Sequence, residues 1–327
     1  MGRHQENNWL DGIIGVVIGD ALGVPYEFRS RDEMKQDPAT DMRGYGTYNL
    51  PPGTWSDDSS MTLASLISLR ESLRKNEPAD FRDMMEQFAS WAVKGEYTPY
   101  GEVFDIGRTT LDAIHRYQKN GQDIYTCGGS GEHDNGNGSL MRIMPVCLYA
   151  YGLQKNQRLS NGDAVTLIHT ASGLTHNHIR SKIACGLYYF CVRAVLDGEG
   201  SLADRVQSGI DQGWAFYKDT LEDKRELFFY NRCRRIHSLK ETPEKDIFSG
   251  GYVVASFTAA LWCLLNTDSY RDCVLQAVNL GFDTDTTAAI TGGLAGLYYG
   301  YHDIPEEWLQ KIARREWIEG LIHELLK

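Results

Sequence analysis

No CxxC pair occurs in this chain, and its seven cysteines, at 127, 147, 185, 191, 233, 263 and 273, are odd in number. That argues against a zinc ribbon or a disulfide scaffold. Most of these thiols lie in apolar contexts, as Cys185, Cys191 and Cys263 do, and read as small buried hydrophobes of a reducing compartment. The chain also lacks a GxSxG nucleophile elbow, an HExxH zinc motif, a P-loop and the GxGxxG of a dinucleotide fold. The commonest hydrolase and nucleotide-binding classes are weakened accordingly. Basic charge is scarce, with 33 Lys and Arg against 44 Asp and Glu for a net charge of −11. A nucleic-acid backbone is therefore not an expected partner.

Long apolar runs are few. Gly251–Leu265 falls short of the roughly 20 residues a bilayer needs and carries Ser256 and Thr258. Gly12–Gly19 is shorter still and is flanked by Asp11 and Asp20, so neither a signal peptide nor a membrane partner is expected. A cytoplasmic monomer is the default expectation. No repeat of 20–50 residues and no low-complexity linker interrupts the 327 residues. With 42% apolar residues the chain can fill a core, and it reads as one domain over 1–327.

What is present is mostly helical pattern. Met61–Lys75, Phe81–Val93, Phe104–Tyr117, Leu140–Tyr151, His178–Leu196, Tyr252–Leu265, Tyr270–Leu280, Thr286–Tyr299 and Trp308–Leu326 each space their apolar residues as helices do. Sustained period-two alternation is hard to find, which predicts an all-α fold with chemistry carried on loops. Arg29–Leu50 and Lys218–Phe248 read as polar excursions from the core.

Two acidic clusters stand far apart in the sequence: Ser56-Asp57-Asp58 and Asp283-Thr284-Asp285-Thr286-Thr287. Each follows a glycine-marked turn and opens a helical stretch. Taken singly, either reads as a helix N-cap, because Ser, Thr and Asp accept from the free N–H groups of a first turn. Together they offer four carboxylates and hydroxyls with no basic residue inside either cluster. Hard divalent cations prefer such oxygen donors, so the pair points to a metal site.

Three other segments carry chemistry. Gly19–Glu27 ends a small-residue helix and delivers Glu27 on a loop containing Pro25. The run Gly128–Arg142 is glycine-rich and ends in Asn135-Gly136-Asn137-Gly138-Ser139 before a helix. Backbone N–H groups of such a loop can cradle a phosphate or ribose, and a plain flexible loop is the competing reading. Leu174–His178 holds two histidines without a third zinc ligand nearby, which favours a helix-cap or pocket role.

Taken together, GDALGVPYEF (19–28), GTWSDDSSM (53–61), FDIGRTT (104–110), NGNGSLMRIMP (135–145), LTHNH (174–178), GGYVVASFTAALWC (250–263) and GFDTDTTAAITGGLAG (281–296) resemble the ADP-ribosylglycohydrolase family. The order of the motifs matches as well. The resemblance implies an all-α orthogonal helical bundle whose cleft holds two Mg²⁺ ions, sometimes Mn²⁺. By the same resemblance Ser56, Asp57, Asp58, Asp283, Asp285 and Thr286 match the metal ligands. Glu27 matches a glutamate on a mobile loop that closes over the metals, and with Asp58 it is a candidate to handle the proton of the attacking water. Gly136, Asn137, Gly138 and Ser139 match the lining of the ADP-ribose diphosphate and ribose, and His176 and Tyr252 match residues of the same cleft. Asp105 matches an acidic residue of the arginine-processing members, near the released guanidinium.

Two departures are Ser56, where the family usually has Thr, and Phe282, where a smaller or polar residue is common. The implied activity is hydrolysis of ADP-ribose from arginine on a modified protein. The alternatives are another ADP-ribosyl bond (serine, nucleic acid or a small metabolite) or a non-catalytic ADP-ribose-binding member.

Overall fold

The computed structural model describes residues 3–120 and 123–325. Its helices run in the order α1 (Arg3–Gly23), α2 (Arg31–Gln36), α3 (Asp57–Lys75), α4 (Phe81–Lys94) and α5 (Arg108–Asn120). Next come α6 (Met144–Lys155), α7 (Asn161–Gly173), α8 (Ile179–Asp197), α9 (Leu202–Thr220), α10 (Arg225–Phe228) and α11 (Ile236–Lys240). The chain ends with α12 (Val253–Leu265), α13 (Tyr270–Asn279), α14 (Thr284–Tyr299), α15 (Glu306–Leu309) and α16 (Arg315–Glu324). Among the described residues no strand forms, and two isolated bridges, Gly129 with His176 and Gly136 with Tyr252, are the only β-type pairings. The expected all-α fold is the observed one.

The centre of the molecule is an antiparallel pair, α1 against α14. A side chain at Gly15 would start 2.3 Å from the Gly292 carbonyl, and one at Gly23 would start 2.3 Å from the Asp285 backbone. Glycine at these positions lets two backbones touch, which larger residues would prevent. One consequence is functional. The close approach at Gly23 sets the end of α1, and the loop bearing Glu27, against the start of α14.

Several sequence expectations change. The stretch Asn7–Tyr26 is long and apolar enough to cross a membrane, more than the Gly12–Gly19 run indicates. Packing accounts for it, since 89% of its most apolar window is buried inside the fold, as a central core helix requires. Helices α7 and α9 are not among the expected elements, although Ser160 with Asp163 and Ser201 with Asp204 form capping boxes. The expected helix Phe104–Tyr117 starts later, at Arg108, because Asp105 adopts a left-handed φ of 58°. Leu140–Tyr151 likewise starts at Met144, the residue before Pro145.

The expected Trp308–Leu326 helix is split into α15 and α16, and its last residue lies outside the described residues. The break falls where Arg314 turns left-handed (φ 55°) and the Ala313 N–H donates to the Gly53 carbonyl at 3.1 Å. That contact ties the C-terminal region to the loop leading into the first acidic cluster. All seven cysteine thiols are buried and unpaired.

Candidate active site

Helix α3 begins at the first cluster because Ser56 caps it, accepting from the Asp58 N–H. The cap reading of the cluster is the observed one for Ser56, whose own hydroxyl also donates to Asp58 Oδ2 at 3.1 Å. The Thr286 hydroxyl, from the first turn of α14, reaches the same oxygen at 3.3 Å. Thus the two clusters, remote in sequence, share a hydrogen bond.

Asp285 is the hinge of the arrangement. It places a carboxylate oxygen within 4.8 Å of oxygens from Asp20 and Asp58, and another such group unites it with Glu27 and Asp105. Asp58 Oδ1 and Asp285 Oδ2 are buried and have no hydrogen-bond partner. Burial, then the charges of Asp20, Asp283 and Asp105, hold the Asp58 carboxyl well above the usual carboxylate range. For Asp285 the causes are burial, then Glu27, Asp58 and Asp105. Glu27 is 5% exposed, and burial followed by the Asp105 charge pushes it up to about 9. Unpartnered buried carboxylates facing one another destabilise a protein unless a cation joins them. The residues present fit a hard divalent cation.

These groups form the floor and one wall of a cleft of about 500 Å³. Glu27, Asp57, Asp105, Asp283 and Thr286 line it directly, whereas Ser56, Asp58 and Asp285 lie buried beneath. Gly136, Asn137, Gly138 and His176 line it as well. The Gly138 N–H donates to no protein acceptor among the described residues, so one cleft-lining donor stands ready for an anion. Arg108, part of the FDIGRTT segment but given no role there, is the one arginine or lysine among the described residues that line the cleft.

The Glu27 loop is pinned rather than loose. Phe28 N–H donates to the Phe282 carbonyl at 2.7 Å, and Phe282 N–H returns to the Arg29 carbonyl at 2.6 Å. Both phenylalanines hold positive φ, 67° and 64°, a conformation that bulky residues adopt only when surroundings impose it. Tyr48 adds a hydroxyl donated to Glu27 Oε2 at 2.7 Å.

Some sequence-named residues play other parts here. The Asn137 side chain turns to Asp283 Oδ2 (2.7 Å) and Ser256 Oγ (2.9 Å), so it orients an acidic-cluster carboxylate. Ser139 sends its hydroxyl into the core, toward Ser172 and Cys185, and is wholly buried behind the cleft wall. Tyr252 stands outside the immediate cleft lining, half exposed, with Arg180 donating to its hydroxyl at 3.3 Å. Of the two nearby histidines, His178 caps α8 and His176 enters the cleft wall.

Asp20 lies inside the GDALGVPYEF segment, yet the sequence assigns it no role. Wholly buried at the end of α1, it accepts from Ser56 N–H, Ser59 N–H and the Ser59 hydroxyl, and so fixes the first turn of α3. Its one signal is an acid bounded by glycine-rich helix, Gly19-Asp20-Ala21-Leu22-Gly23.

A pH dependence follows from the raised carboxyls. Between the ordinary carboxylate range and about 9, Glu27 keeps in the folded protein a proton that the unfolded chain has lost, and the raised Asp58 and Asp285 carboxyls act in the same direction. Stability of the cation-free protein is therefore expected to fall as pH rises through that window, by about 5 °C or more in Tm, and millimolar Mg²⁺ should reverse the loss. Thermal melts in EDTA at pH 5 to 9 check this; a flat profile contradicts it.

A family model described as ADP-ribosylglycohydrolase matches residues 2–327. The chain is 31% identical to "ADP-ribosylarginine hydrolase Tri1" of Serratia proteamaculans (strain 568), over 96% of this chain and 77% of that relative. It is 31% identical to "ADP-ribosyl-[dinitrogen reductase] glycohydrolase" of Rhodospirillum rubrum, over 95% of this chain and 92% of the relative. "ADP-ribosylhydrolase ARH3" of Homo sapiens is 26% identical over 96% and 91%. A solved structure described as "ADP-ribosylglycohydrolase-related protein complex" superposes with a TM-score of 0.76 at 29% identity, covering 99% of this chain and 98% of that one.

Proposed function

The chain belongs to the ADP-ribosylglycohydrolase family, and from that premise we propose that it is a Mg²⁺-dependent hydrolase releasing ADP-ribose from modified arginine on proteins. The observation that carries this reading is the meeting of both acidic clusters on one cleft floor, with Asp285 common to two groups of three carboxylates. Ser56, Asp57, Asp58, Asp283, Asp285 and Thr286 would hold the metal, with Mn²⁺ as the alternative ion, because an all-oxygen donor set suits hard cations. When bound, such ions supply Lewis-acid polarisation of ribose hydroxyls and a more acidic water.

The chain's own residues divide the remaining tasks. Glu27, held in the cleft by Tyr48 and the Phe28–Phe282 clamp, takes the proton of the attacking water, with Asp58 as the other candidate. With a cation held on the floor, the like-charge repulsion that raises the Glu27 carboxyl would be relieved, and the residue would be able to act as a base. The water oxygen bonds to the ribose C1″ as the bond from C1″ to the arginine nitrogen breaks, its electron pair going to the nitrogen, which takes up the proton collected by Glu27 and leaves as guanidinium. The free N–H of Gly138, with Arg108, faces the anionic diphosphate. Asp105 is half-buried on the wall and offers a carboxylate to the departing guanidinium, a planar cation with several donors.

A second reading rests on the position of Asp105 beside Glu27 and Asp285. There it would help hold a cation, and the linkage could be serine, nucleic acid or a small metabolite. Release assays on arginine-, serine- and nucleic-acid-linked ADP-ribose, each with Mg²⁺ and with EDTA, separate the two. We expect arginine to be released fastest and EDTA to stop the reaction. Asp105→Ala is expected to lower kcat/KM for the arginine linkage by about 10–100-fold while ADP-ribose still binds. Faster serine release by the wild type would overturn the arginine assignment.

A further inference from the structure

Arg142 is 1% exposed, yet among the described residues it has no carboxylate partner. A buried guanidinium without a counter-charge is a costly feature, so its contacts matter. It lies over the Phe88 ring at 4.6 Å, approaches the Ala171 carbonyl at 3.4 Å, and donates from Nη2 to Thr175 Oγ1 at 2.7 Å. Thr175 Oγ1 in turn lies 2.8 Å from His176 Nδ1. The other ring nitrogen, Nε2, makes no hydrogen bond among the described residues. It sits where the glycine loop runs past, 3.3 Å from the point where a side chain on Gly136 or Gly138 would begin.

From this chain of contacts we infer that Arg142 and Thr175 are positioning residues that set His176 as a neutral imidazole presenting Nε2–H to an oxygen of the ADP-ribosyl group. Guanidinium can only donate, so Thr175 Oγ1 accepts from Arg142 and keeps its own proton to give. His176 Nδ1 is the one acceptor in its reach, which leaves the ring proton on Nε2. The opposite tautomer would have Nδ1–H donating to Thr175, and the threonine proton would then be buried without an acceptor, which is unfavourable. The doubly protonated ring is opposed by burial and by the Arg142 charge, which together take His176 down to about 3. Ring orientation is fixed as well. A Cβ on Gly138 would meet His176 Cε1 at 2.8 Å, and the His176 backbone N–H and carbonyl are both held by Ser172.

The ligand in this inference rests on the proposed function, whereas the tautomer does not. The test is long-range ¹H–¹⁵N correlation on histidine-labelled protein, with the His176 ring assigned by its loss in His176→Gln, alongside calorimetric titration with ADP-ribose. The wild type is expected to show a proton on Nε2 throughout pH 5–8. Thr175→Val should populate the Nδ1–H form and weaken ADP-ribose binding by about tenfold, while Thr175→Ser, which keeps the hydroxyl, restores both. Arg142→Met should mix the tautomers too; if it fails to fold, the Val and Ser pair still decides. An Nδ1–H signal in the wild type, or an unchanged tautomer in Thr175→Val, overturns the inference. A wild type that holds the Nε2–H form through Thr175 but binds no ADP-ribose overturns the functional reading instead.

Discussion

Asp285→Asn is expected to cut turnover by roughly 10³-fold or more, to abolish measurable Mg²⁺ binding, and to raise the melting temperature of the cation-free protein. The first two effects follow from the place of Asp285 in both carboxylate groups and from its unpartnered Oδ2. If Asp285 holds a cation as proposed, losing its carboxylate would remove several kcal/mol of polarisation from the ribose and the attacking water, and about 1.4 kcal/mol is tenfold in rate. The third effect has the opposite sign because the acidic floor is self-repelling. Burial, then Glu27, Asp58 and Asp105, oppose ionisation of Asp285, and an amide relieves that opposition while still accepting from the Thr286 N–H. Calorimetry with Mg²⁺, EDTA-treated thermal melts and a release assay check the three parts. Retained turnover, or full activity after chelation, would sink the metal reading. A variant that is merely misfolded would melt lower, so the stability change separates a lost ligand from a lost fold.

Glu27→Gln should lower kcat by roughly 10²–10⁴-fold, the usual range for a group that transfers a proton. The substitution preserves size and keeps an oxygen for the Tyr48 hydroxyl, so the clamp made by Phe28 and Phe282 should persist. ADP-ribose binding should change little, because the glycine loop and the acidic floor are untouched. Asp58→Asn provides the comparison: it should lose cation affinity together with turnover, whereas Glu27→Gln should lose turnover while largely keeping cation affinity. An unchanged kcat in Glu27→Gln would reassign the proton to an aspartate of the floor.

Much of the site is legible in the sequence because its chemistry is local. Ser56-Asp57-Asp58 and Asp283-Thr284-Asp285-Thr286 each pack oxygen donors within one helical turn, and the Gly136–Ser139 loop offers the Gly138 amide through its own backbone. Residues acting across the fold are harder to read. Asp20 works by holding the first turn of α3, Asn137 by orienting Asp283, and Arg142 by bonding Thr175. Each is an ordinary polar residue until its partner is known. The C-terminal helix differs from its periodicity for a similar reason, since the break at Arg314 answers to the Gly53 loop and to no signal of its own.

By itself, then, the sequence determined the helical fold, the buried thiols and the two oxygen-rich turns, all of which depend on neighbours within a few positions. Only the tertiary structure decided that the two turns form one site. The α1–α14 crossing, close enough that Gly15 and Gly23 admit no side chain, brings Glu27 and Asp285 together, while Asp20 draws in the start of α3. Backbone packing at that distance depends on contacts between residues remote in the chain, which helical periodicity does not encode.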